Sequence, residues 1–156
     1  MLKFCLLLGL GFASLYAALP TVKVVHQFHD EFDIKNAARD ERLLLFSVDN
    51  PDLAPFFLKI QFMNKCFLKR LNRVSGTPFP LSSVKMRFKE SYHEITDIWE
   101  RTSPKDCEYF IVDFTEDIKK FYEIELLGSW GEGGHKLAPG TYGEAVILTV
   151  LPPQPR

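Results

Sequence analysis

Residues 84–89, VKMRFK, alternate without a break: Val84, Met86 and Phe88 on one side, Lys85, Arg87 and Lys89 on the other. A period of two places one set against a core and the other against water, the signature of a half-buried antiparallel strand. The pattern recurs. FFLKIQF (56–62) puts Phe56, Leu58, Ile60 and Phe62 on one face. FYEIELLGSW (121–130) turns Tyr122, Ile124 and Leu126 inward and Glu123 and Glu125 outward. TVKVVHQF (21–28) aligns Val22, Val24, His26 and Phe28. EYFIVDF (108–114) is apolar on both faces and reads as a central strand, and ERLLLFSVDN (41–50) is a further short apolar run. VDNPDLAP, SGTPFP, TSPKD and GEGGHKLAPG separate these runs with residues that supply turn geometry. Short strands with such punctuation predict an all-β, immunoglobulin-like sandwich of about seven antiparallel strands. The best helix candidate is residues 33–43, though its apolar stripe is poor, and residues 114–122 could form one turn capped by Thr115; neither changes the all-β expectation.

The ends are of a different character. MLKFCLLLGLGFASLYAALP has one cation, Lys3, then an apolar run to Phe12, then small residues. That is the layout of a secretory leader, and the run is shorter than the roughly 20 apolar residues that span a bilayer. Cleavage is expected after Ala17 or Ala18. The expected organisation is a signal peptide over 1–17, one sandwich domain over 18–151 and a Pro-rich tail over 152–156. Without Lys3, 18 basic side chains face 20 acidic ones and no basic stripe is present, so nucleic acid is not an expected partner. No second apolar stretch is long enough for a membrane span.

Cys5 leaves with the leader, and Cys66 and Cys107 remain. An even pair in an exported chain reads as a structural disulfide, worth roughly 3–4 kcal/mol for a loop of about 40 residues. The rivals are two free thiols or a redox pair, but the spacing is not Cys-x-x-Cys.

Candidate chemistries fare less well. The segment GSWGEGGHKLAPGTYGEAVILTV (128–150) has the glycines of a phosphate loop, but Gly134 is followed by His135 and Lys136 and then a strand, where a Walker or dinucleotide loop must open a helix. Gly131, Gly133 and Gly134 read instead as a hairpin connection, and Gly140 as the turn that sets Tyr142 on the core face. Tyr142, Val146, Leu148 and Val150 then share one face of a final strand, interrupted by Glu144. His26 and His29, near Asp30, Glu31 and Asp33, suggest a metal site, but i and i+3 on a strand face opposite ways. No metal and no cofactor is expected. No G-x-S-x-G elbow is present. The 14 Phe of the 156 residues fall at alternate strand positions, as a sandwich core requires, although a small lipid carrier would show a similar content.

The stretch LAPGTYGEAVILTVLP (137–152) resembles the C-terminal strand of fimbrial subunits of chaperone–usher pathways, including class 5 (alternate) pilins and the spore-coat-U-like group. Pro139, Gly140, Thr141 and Tyr142 carry the resemblance, and Gly143 and residues 145–150 extend it. TPFPLSSVKMRF (77–88) is a weaker match. The chain departs from those subunits in being rich in Phe and Lys. The resemblance implies an exported, non-enzymatic structural or adhesive subunit at the periplasm or cell surface. Its partners would be other copies or subunits and a periplasmic chaperone, joined by β-strand addition. Val22, Val24 and His26 would form the donor face. The alternatives are a monomeric periplasmic or surface binding domain, and a small exported lipid carrier or enzyme.

Overall fold

The computed structural model describes residues 18–28, 36–70, 78–89, 95–101, 108–132 and 142–153, with the backbone alone for 95–101. The described residues form eleven strands: β1 (Thr21–Gln27), β2 (Ala38–Asp49), β3 (Phe56–Phe62), β4 (Phe67–Arg70), β5 (Phe79–Pro80), β6 (Ser83–Lys89), β7 (Ile95–Arg101), β8 (Tyr109–Phe114), β9 (Phe121–Trp130), β10 (Tyr142–Gly143) and β11 (Val146–Leu151). The architecture is all-β and antiparallel. One sheet runs β1-β2-β9-β6-β7, the second β11-β3-β8, and a short third β10-β4-β5.

Alternation explains why the sheets face one another. Phe56, Leu58, Ile60 and Phe62 of β3 and Phe46, Val48, Ile124, Leu126 and Met86 of the first sheet are buried in a single cluster. Aromatic contacts bridge it: Tyr122 of β9 lies 5.8 Å from Phe56 and 5.0 Å from Phe114, and Phe88 of β6 lies 5.9 Å from Phe114. Edge-to-face rings at such distances add to what burial of their area contributes. One buried polar residue is fully bonded within the fold. Asn50 donates Nδ2 to the carbonyls of Ala54 and Lys119, accepts from Ala54 N, and donates its own N to Lys120 O. It ties the β2–β3 turn to the β8–β9 turn.

Several expectations are corrected here. The helix expected over 33–43 is strand from Ala38 onward, bulged between Ala38 and Glu41, where Asp40 takes a φ of 54° and donates N to Ser129 Oγ. No helix forms over 114–122; Asp113 Oδ1 accepts from Thr115 N and turns the chain instead. Among the described residues β8 is not central but an edge, with Tyr109 and Ile111 exposed. Glu125 and Lys85 are buried rather than solvated, set beside Arg42 at 3.8 Å and Asp40 at 3.4 Å respectively. Glu123 pairs with Lys89 at 3.1 Å.

Candidate functional site

The junction of the second and third sheets is built from two departures from strand geometry. After β3 the chain makes two successive turns. Lys65 N donates to Phe62 O and Phe67 N to Asn64 O, with Lys65 and Cys66 both at positive φ, 54° and 63°. Positive φ at both central residues is the type I′ pattern that Asn-Gly usually supplies. Without glycine it costs roughly 1–2 kcal/mol per residue, so its surroundings must hold it. They do so from three sides. Cys66 is 1% exposed, its carbonyl accepts from Leu81 N, and Asn64 N donates to Glu144 Oε1 at 2.8 Å. Cys107, the expected partner of Cys66, lies outside the described residues.

Glu144 occupies the matching break on the opposite strand, between β10 and β11. Its Oε1 also accepts from Ala145 N at 2.9 Å, while Oε2 is buried with no hydrogen-bond partner among the described residues. Burial raises its pKa, opposed by the backbone bonds to Asn64, Ala145 and Cys66 and by the Lys69 ammonium. Met63 N donates to Ala145 O. The carboxylate thus clamps the two bends together, and the strands beyond them, β4 and β10, pair on their own.

The clamp fixes where β11 begins. From Val146↔Phe62 to Leu151↔Phe57, six consecutive residues pair with β3 without a bulge. Val146, Leu148 and Val150 turn to the core and are only partly buried against it, as is Tyr142. Ile147 and Thr149 face outward, Ile147 at 45% exposure. Among the described residues β11 has β3 on one side and no strand hydrogen-bonded on the other. The first sheet ends nearby at β1, which also approaches β11.

The edge strands of the described sheets differ in one respect. Natural edges are blunted by charge, proline, bulges or brevity, because unpaired N–H and C=O groups recruit other chains. β1 carries Lys23 and a bulge between Val24 and His26. β7 carries Asp97, Glu100 and Arg101; β8 carries Asp113. β5 contains Pro80, and β10 is two residues long. β11, VILTVL, has no charge, no proline and no bulge, and Pro152 and Pro153 follow it.

The remaining expected site residues take these places. Val22 packs against the core, opposite Val48. Val24 pairs with Phe46 and is 49% exposed; after the bulge His26 pairs with Leu45, its ring 4.2 Å from that of Phe28. The bulge therefore breaks the continuous Val22–Val24–His26 face. Gly131 follows β9, whereas Gly133, Gly134 and Gly140, like His29, lie outside the described residues. Among the described residues no group of three or more His, Cys, Asp or Glu is placed to hold a metal, and no helix is long and apolar enough to cross a membrane. A depression of about 430 Å³ lies beside β1, lined by Thr21, Val22, Lys23, Ser47, Asp49 and Phe121. Glu144 was visible in the sequence only as an interruption of parity; the contact across 80 residues that gives it a role carries no sequence signal. No protein-family model, curated protein or solved structure matches the chain.

Proposed function

We propose that this chain is an exported, non-enzymatic structural or adhesive subunit that joins its partner by β-strand addition, and that β11 is the accepting edge. The unguarded six-residue edge carries the reading. In an immunoglobulin-like arrangement one sheet holds strands A, B, E and D, and the other C, F and G. Taking β1, β2, β9 and β6 as the first sheet and β3 and β11 as C and F leaves the place beside β11, that of strand G, without a strand among the described residues. An added strand would bond to the free side of β11 and lay alternate apolar residues over Val146, Leu148 and Val150. The resemblance of 137–152 to fimbrial subunits points the same way, as does the leader-like N-terminus. A Cys66–Cys107 disulfide belongs to the same reading, holding the strained turn that positions β11.

The donor half of the expectation is harder to meet. β1, with Val22, Val24 and His26, is paired along its length with β2, and must leave it before it can serve another subunit. A monomeric binding domain is the reading that a permanently home-paired β1 and a free β11 would favour. Amide hydrogen exchange over 146–151, measured on the full chain recovered at high concentration from the exported fraction of its expressing cell, separates the two. We expect protection of those β11 amides that point away from β3, lost in Ile147→Lys while the rest of the pattern persists. Rapid exchange of those amides in the unaltered chain would remove the assembly reading.

A further inference from the structure

We infer that the strand added to β11 is the β11 of a second copy, paired antiparallel about a two-fold axis through Leu148. The inference rests on the reading of β11 as the assembly edge and names its occupant.

The first argument is register. Residues directly opposite in an antiparallel pair share a face of the sheet. A two-fold through Leu148 sets Val146 opposite Val150, Leu148 opposite itself, and Ile147 opposite Thr149. Every core-facing residue of β11 then meets a core-facing residue, and every outward one meets an outward one. The axis stands perpendicular to the sheet, so both sandwiches keep their cores on the same side. The second sheets merge into one of six strands, in the order β8-β3-β11 and its mirror sequence.

The second argument is charge. An isologous contact sets residue i against j and j against i, and residues at the axis meet their own copies, so an ionised side chain close to the axis is opposed by its like. β11 carries none across all six residues, whereas β1, β7 and β8 each carry at least one. β11 is thus the long described edge on which self-pairing meets no repulsion.

The third is the apolar surface beside the edge. Val24 and Val25 of β1, the neighbouring edge, are 49% and 51% exposed, and Ile147 is 45% exposed. Two copies joined through β11 bring their β1 edges, with Val24 and Val25, towards each other on the core side, while Ile147 on the outer face lies beside Thr149 of the second copy. A six-residue strand is about 20 Å long and the sheets lie about 10 Å apart. The contact is therefore at the small end of specific interfaces, below about 1,200 Å² in total, and the pair is expected to be reversible. Pro152 and Pro153 end the pairing after Leu151, so the register has no room to slip outward.

Cysteine pairing tests the register directly. Full chains carrying Ile147→Cys and Thr149→Cys are mixed under a mild thiol oxidant, and each is also oxidised alone. The expected result is a disulfide-linked dimer containing one of each, formed much faster than either self-linked product. Sedimentation velocity of the unaltered chain over a dilution series should show a monomer–dimer equilibrium that Ile147→Lys shifts to monomer. A monomer at every concentration with no mixed disulfide overturns the inference. If the β11 amides are protected all the same, the edge is in use and its occupant is another protein; if they are unprotected, the edge reading falls as well.

Discussion

At Glu144 two backbone N–H groups offset part of the penalty of burying a carboxylate, and burial still dominates, holding its pKa above the ordinary value of 4.5. The folded chain therefore binds this proton more tightly than the unfolded chain does. The group's contribution to stability is complete below the unfolded value and is lost as pH rises through the raised folded value. Urea unfolding of the wild type and of Glu144→Gln across that window should show the wild type losing stability relative to the variant as pH increases. An unchanging difference would mean that the carboxyl titrates alike in both states. Glu144→Ala is a different experiment: it leaves Asn64 N and Ala145 N without their acceptor and should cost about 1–3 kcal/mol at any pH, read from the urea midpoint.

Strands differ in how far the sequence disclosed them. β3, β6, β9 and β11 were legible because alternation reports a strand with one face on the core; the buried residues of β3 fall where the alternation puts them, whereas in β6 and β9 Lys85 and Glu125 on the other face are buried as well. Position within a sheet was not legible. YFIVDF, apolar on both faces, became the edge β8, and FFLKIQF, with Lys59 and Gln61 outward, became the central β3. Among the described residues nothing covers the outer face of the second sheet, so even its middle strand alternates, and Lys59 finds the Tyr109 ring at 4.7 Å there. The charged start of β2 read as helix because its bulge removes the period of two that marks a strand. The close approach of Leu43 to Gly128, where an added Cβ would stand 2.7 Å from Leu43 Cδ1, is likewise set by packing. The two strands predict opposite sensitivities. Ile60→Ala in β3 should cost about 2–5 kcal/mol, and Ile111→Thr on the open face of β8 should stay within about 0.5 kcal/mol, both measured by chemical denaturation.

For the molecule as a whole, the order of strands in space departs from their order in the chain. β2 pairs with β9, and β3 has β8 on one side and β11 on the other. Half of the pairing of β3, the strand with the most deeply buried face, thus comes from the last of the described strands. A chain ending at residue 145 would lack Val146, Leu148 and Val150 from the core and would leave β3 an open edge. It should show no cooperative thermal transition, checked by circular dichroism against the full chain. The consequence concerns time as much as space. A polypeptide is synthesised from its N-terminus, and here the central strand waits more than eighty residues, from Phe62 to Val146, for its second neighbour. The nascent chain therefore cannot close its core, and stays threadable, until residues 146–151 have been made and have left the ribosome.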